Sequence, residues 1–338
     1  MNYWQIAAGS EGRDYSKDFL RFGMAFVGGD MQRATMKDVG EGDYILLKRG
    51  KTQLIAAGRV VRRNGVFSGD GDKEWLADFD GWGLHAYCYV DWHVPSKPRS
   101  VSGFTRNTIQ NVWQASLRQA AHDLLTHCPT HPIEPEPEVI EALADGEILD
   151  FLITEGLRPA AAEDLTSAFR RIRLLAKYYS DNCDPHDIRE HETRTFLIMP
   201  LLLALGWSEQ QIKIELAVKG VGRIDVACFK KSYIRDNKGE PNNRDCVLII
   251  ETKGFAQGLS FTHAQAKTYA TKFPSCKAVV VSNGYCYKTY KKDSKGTFSD
   301  YPSAYLNLLS PKKRYPIDPK HVDGGLAVLK LLLTQSWR

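Results

Sequence analysis

Several familiar signatures are missing from this 338-residue sequence, and each absence excludes a class of protein. The seven cysteines, at positions 88, 128, 183, 228, 246, 276 and 286, form no C-x-x-C pair. They read as reduced thiols, not a disulfide frame, and a cytoplasmic setting is expected. His127, Cys128 and His131 lie close together, but no second cluster follows at ligand spacing, so a zinc site is not expected. No apolar run approaches the length of a membrane span. The opening Met1-Asn-Tyr-Trp-Gln-Ile has neither a basic stretch nor an apolar core, so no signal peptide and no membrane partner are expected. No G-x-x-x-x-G-K-[ST] occurs, which argues against a nucleotide cofactor or an ATP-driven motor on this chain.

What is present is an ordinary globular composition, 43% hydrophobic and 25% charged, long enough for two domains. The formal net charge of +5 permits a nucleic-acid partner without requiring one. The chain is organised around the stretch from Ile224 to Tyr269. Its centre, Cys246-Val-Leu-Ile-Ile-Glu-Thr-Lys253, reads as a strand that is apolar on both faces until its end. There Glu251 and Lys253 appear on one face. Burying two charges is costly unless each has a partner or a metal. A divalent cation held by Asp225 and Glu251, with Lys253 beside it, would meet that cost and make a site for phosphodiester hydrolysis.

Context strengthens this reading. Glu192 to Trp207 reads E-T-R-T-F-L-I-M-P-L-L-L-A-L-G-W, and Ser282 to Tyr290 reads S-N-G-Y-C-Y-K-T-Y. With Asp225, Glu251, Lys253, Gln265 and Tyr269, this ordered set resembles the PD-(D/E)XK nuclease superfamily over roughly residues 185–295. The likeness is greatest to the N-terminal nuclease domain of type I restriction motor subunits. The resemblance implies Asp225 and Glu251 as metal ligands, joined by the Thr252 carbonyl, with Lys253 acting on water or on developing charge. It puts the helical glutamate on Glu192 and the Q-x-x-x-Y signature on Gln265 and Tyr269. The residue before Asp225 is isoleucine where the family has proline. Mg²⁺ or Mn²⁺ is the implied cofactor. Glu192 also fits a plain helix-start acid, sharing a face with Phe196 and Met199.

The first hundred residues carry closely spaced strand patterns with glycine punctuation: Tyr3–Ala8, Phe22–Val27, Tyr44–Lys48, Gln53–Val61 and Ala86–Val94. One short helix near Tyr15–Phe22 completes a compact barrel. The pattern Y-W-x-I-A, G-E-G-D-Y-I-L-L and I-A-A-G-R-V resembles the EVE branch of the PUA-like superfamily over about residues 1–98. Such domains are similar to those that flip a modified base into an aromatic pocket. A flipped base needs flat faces to stack on. Trp75 and Trp82, in the glycine- and aspartate-rich segment 69–83, are candidates for that pocket. Trp4 and Trp92 lie in strands and suit the core, with Trp4 and Ser10 as secondary base-binding candidates.

Between these regions, helices are expected at Thr105–His127, Glu138–Thr154 and Ala161–Tyr179, with a proline-rich linker at 128–137. The last helix carries Arg170, Arg171, Arg173 and Lys177, suited to phosphates or simply to solvent. A basic hairpin from Lys230 to Asp245 is a candidate DNA-contacting finger. The expected architecture is mixed α and β: a PUA-like barrel at 1–98, a helical connector at 99–184, and a PD-(D/E)XK mixed sheet flanked by helices at 185–338. The expected activity is that of a modification-dependent DNA endonuclease acting on duplex DNA with a modified base, as a homodimer or a transient dimer on DNA. A nucleic-acid-binding regulator with an inactive nuclease-like fold, and a subunit of a larger defence assembly, are the alternatives.

Overall fold

The structure is a computed structural model describing residues 1–9, 12–234 and 245–337. It is an α+β protein whose chain divides into two units, Met1–Glu138 and Val139–Arg338. The division falls after Glu138, one residue beyond the last proline of the proline-rich segment.

In the first unit the chain runs β1 (Tyr3–Ala7), α1 (Ser16–Phe22), β2 (Met24–Val27), α2 (Asp30–Met36), β3 (Tyr44–Arg49) and β4 (Gln53–Val60). It continues through β5 (Ser68–Asp70), α3 (Glu74–Ala77), β6 (Ala86–His93), β7 (Arg99–Ser100), β8 (Ile109–Asn111) and α4 (Ala115–His127). One curled sheet, a half-barrel, has the order β2-β6-β4-β3-β1-β8, with β5 on β6 and β7 on β4. β1 runs parallel to β3, and every other pairing is antiparallel.

The expected helix at 105–127 loses its first part to a three-residue strand and the turns around it. Ile109 and Val112 satisfy a helical spacing, yet Ile109 pairs with Ile6 at the sheet edge and Ala7 donates to the Thr108 carbonyl (2.8 Å). Pairing with β1 outweighs the local periodicity, and α4 begins only at Ala115. Leu117, Ala121 and Leu124 then close on Leu46, Leu54 and Ala57 of the sheet.

The second unit opens with α5 (Asp145–Thr154) and α6 (Ala162–Asn182), followed by α7 (Glu190–Thr193) and α8 (Met199–Ala204) with a π turn at Arg194–Ile198 between them. Pro200 has no N–H to donate back to Phe196, which favours the irregular turn there. Then come β9 (Ile212–Val218), β10 (Gly222–Phe229), β11 (Cys246–Thr252), α9 (His263–Ala270), β12 (Ala278–Ser282), β13 (Cys286–Lys291), β14 (Ala304–Asn307) and α10 (Gly325–Leu332). The helix expected from Glu138 starts at Asp145, because Leu143 donates to the Pro311 carbonyl (2.8 Å) and Ala142 bridges Lys312. The helices drawn as one connector are thus shared out, α4 in the first unit and α5 and α6 in the second.

The second sheet has the order β14-β13-β12-β11-β10-β9. Only β11 and β12 are parallel, and α9 makes the crossover between them. Every residue of β11 and β12 is buried, which explains their unbroken apolar runs. Ala266, Tyr269, Ala270 and Phe273 pack on Ala227, Ile249 and Val279. No helix among the described residues is long and apolar enough to cross a membrane.

Candidate active site

The polar end of β11 is where this packing runs out of apolar side chains. β10 and β11 are antiparallel, with Val226 paired to Ile250. That register sets Asp225 and Glu251 next to each other just beyond the pair. Thr252 holds Asp225 firmly: its N–H (2.7 Å) and its hydroxyl (2.9 Å) both donate to Asp225 Oδ2. Lys253 donates from Nζ to Glu251 Oε1 (3.3 Å) and to Glu190 Oε1 (3.0 Å). Asp225, Glu251, Thr252 and Lys253, all expected from the sequence, therefore meet in one place.

Two further groups complete the network, and the sequence reading missed both. Glu190, on α7, takes Lys253. Arg194, one helical turn on and only 7% exposed, reaches Glu215 Oε1 (2.7 Å) and Asp225 Oδ1 (3.4 Å). Glu190 and Arg194 share the helix face turned to the sheet. Glu192 does not: its carboxylate accepts from the Arg189 N–H (3.1 Å) at the helix start. Of its face-mates Phe196 is 42% exposed and Met199 half-buried, and of the two roles read from the sequence the hydrogen bond fits the helix-start acid. The available signal was the four-residue step from Glu190 to Arg194, an i,i+4 pair on one face. Glu215, at φ 53°, adopts a left-handed conformation that is unfavourable for a side-chain-bearing residue, costing roughly 1–2 kcal/mol.

Electrostatics single out Glu251. It is 3% exposed, and its Oε2 atom is buried with no hydrogen-bond partner among the described residues. Burial, and then the charge of Asp225, push its carboxyl up to about 7, against the opposing pull of Lys253. Burial would lower the Lys253 ammonium, but the hydrogen bond to Glu190 and the charge of Glu251 outweigh it and raise it. An orphaned buried carboxylate oxygen beside a second carboxylate is what a hard cation would satisfy. No group of three His, Cys, Asp or Glu side chains poised around a metal position occurs among the described residues. The donor set nonetheless fits Mg²⁺ or Mn²⁺, since such ions are commonly bound through one or two carboxylates and keep several waters.

Gln265 is bonded elsewhere. Its Nε2 donates to the Tyr269 hydroxyl (2.7 Å), and that ring lies in the core under Gly222 at the start of β10. No hydrogen bond joins this pair to Asp225, Glu251 or Lys253 among the described residues. The Lys230–Asp245 finger, with Arg235, Lys238 and Arg244, falls mostly on residues 235–244, outside the described residues; Lys230 donates to the Asp245 carbonyl at its base (2.8 Å).

In the first unit, segment 69–83 is not the open loop expected. β5 and α3 occupy it, and Trp75 is buried against Phe22, Phe26 and Phe79, with its Nε1 donating to Glu136 Oε2 (3.3 Å). Trp75, Leu76 and Phe79 recur at helical spacing, and that pattern outweighs the surrounding glycines. Trp82 is half-buried at a tight turn, where Phe79 and Trp82 exchange backbone hydrogen bonds (2.8 and 3.1 Å). The Arg13 guanidinium lies over its ring at 3.3 Å, and its Nε1 meets no partner among the described residues. Trp4 is in the core, donating to Asp43 Oδ2 (2.9 Å), as is Trp92. Ser10 lies outside the described residues.

No protein-family model matches this chain, and no curated protein matches it in sequence.

Proposed function

We propose that the second unit is a divalent-metal-dependent nuclease hydrolysing phosphodiester bonds of DNA, and that the first unit selects duplexes carrying a modified base. The observation that carries the reading is the meeting of Asp225, Glu251 and Lys253 at the end of a buried strand, with Glu251 Oε2 lacking a partner. Asp225 and Glu251 would hold Mg²⁺ or Mn²⁺, which when bound supplies Lewis-acid stabilisation of a phosphoryl oxygen. Thr252 fixes the Asp225 carboxylate through two hydrogen bonds. Lys253, anchored by Glu190, presents its ammonium to the attacking water or to the charge that develops on the phosphate. Arg194 neutralises the carboxylates that flank the site.

The selecting role of the first unit rests on its resemblance to modified-base readers and on Trp82. Of the tryptophans named for a pocket, it is the one whose ring is covered by a charged planar side chain instead of core. Digestion of matched DNAs, unmodified, 5-methylcytosine-bearing and hydroxymethyl- or glucosyl-bearing, with and without Mg²⁺, tests both parts at once. The second reading, a DNA-binding regulator without activity, draws on the contacts of Asp225. Thr252 and Arg194 already satisfy that carboxylate, as they would satisfy a purely structural acid. Binding to DNA without cleavage under any metal would favour it.

A further inference from the structure

Helix α6 has a second periodic face that the core of its own unit does not use. Leu165, Ala168, Phe169, Ile172, Ala176 and Tyr179 are buried. On another side Arg171, Leu174, Tyr178 and Asp181 recur at alternating three- and four-residue steps, the spacing of a helix-to-helix seam. Leu174 is 62% exposed and Tyr178 54%, and with Arg171 and Phe196 they line a groove of about 700 Å³. Contiguous apolar exposure of this kind marks an interaction surface. The stripe is charged at both ends with opposite sign, Arg171 on one side of the apolar pair and Asp181 on the other. Neither forms an ion pair with another described residue.

We infer that this face binds a second copy of the chain, with the two α6 helices antiparallel across a twofold axis level with Ala176. Leu174 of each copy then packs on Tyr178 of the other, and Arg171 faces Asp181 at both ends. A twofold contact requires a patch complementary to itself. Antiparallel reversal makes this stripe so, whereas a parallel pair would set arginine against arginine and aspartate against aspartate. A nucleic-acid strand, the rival suggested by Arg170 and Arg171, fits less well, because leucine and aromatic side chains dominate the groove and the stripe ends in an acid. Arg173 is not available to it either, being held in two hydrogen bonds to Asp145 (2.6 and 2.8 Å). This assembly is independent of the nuclease reading and would hold if the protein cut nothing. If it does cut, pairing brings the second site that a duplex break needs.

The test is the mass of the full chain in solution, by sedimentation velocity over a wide concentration range without DNA. The expected species is about twice the 38.1 kDa chain mass. Arg171→Asp and Asp181→Arg should each weaken the dimer by roughly tenfold or more, since each sets like charges opposite one another. The double variant should restore it. Both positions are exposed, and circular dichroism verifies that each variant is folded. A monomer at every concentration, a dimer indifferent to the single changes, or a double variant that stays monomeric would each overturn the inference. So would a monomeric protein in which Arg171→Asp chiefly lowers DNA affinity.

Discussion

Glu190 and Arg194 stand one helical turn apart and reach opposite partners in one charge network: Glu190 takes Lys253, and Arg194 takes Asp225 and Glu215. A single helix face thereby positions both the cation and the aspartate of the candidate site. Glu190→Gln is accordingly expected to lower the cleavage rate by about tenfold or more, because Lys253 loses a charge-assisted anchor. Glu192→Gln should leave the rate within about threefold, since Glu192 caps the helix start. Parallel single-turnover measurements on the two variants check this, and a larger loss from Glu192→Gln would restore the original assignment.

Arg194→Ala should be a stability variant. Removing a guanidinium that is 7% exposed takes the ion-pair partner from Asp225 and leaves Glu215 with Arg223 alone, at a cost of roughly 1.5–3 kcal/mol. Thermal unfolding without metal is the measurement, and the loss should shrink when Mg²⁺ is added. A melting temperature equal to that of the unaltered protein would show that the network is not required for folding.

The raised carboxyl of Glu251 gives a pH dependence of unusual sign. Its folded value of about 7 lies above the ordinary 4.5, so over that interval the folded protein holds a proton that the unfolded chain has released. The contribution of Glu251 to stability is therefore most favourable below about 4.5. It declines as pH rises to about 7, by up to about 3 kcal/mol. Denaturant titrations without metal, compared with Glu251→Gln, should show the unaltered protein losing more stability than the variant across that window. Added Mg²⁺ should remove the difference by taking the ionised form, and its affinity should climb as pH passes 7.

The tryptophans of the first unit should separate by role. Trp75→Ala empties a buried aromatic cluster and is expected to cost about 3–5 kcal/mol. Trp82→Ala should cost less stability and lower the affinity for a modified duplex by about tenfold, leaving binding to unmodified DNA unchanged. Unfolding curves and titrations at fixed salt in a Glu251→Ala background distinguish the two. Equal weakening on both duplexes would assign Trp82 to folding or to phosphate contact.

Much of the second unit was legible because its signals are strong and local. β11 and β12 each begin as an apolar run, and in β11 that run is broken by its first charge, which is how Glu251 and Lys253 were found. What stayed hidden depends on phase and on tertiary pairing. Glu190 and Glu192 are two residues apart on a short helix that passes into a π turn, so composition alone cannot tell which faces the sheet. Ile109 fits a helix as well as an edge strand until Ile6 is there to pair with it. Trp75 sits among glycines, and only the cluster of Phe22, Phe26 and Phe79 shows that it points inward.

Single-turnover cleavage of end-labelled duplexes, modified and unmodified, by the unaltered protein and by Glu251→Gln in Mg²⁺ or EDTA tests the nuclease reading most directly. The expected result is Mg²⁺-dependent cutting of one modified duplex and its loss by at least a hundredfold in Glu251→Gln, with DNA binding retained. Cutting that survives in Glu251→Gln, or that persists in EDTA, would contradict the site assigned to Asp225, Glu251 and Lys253.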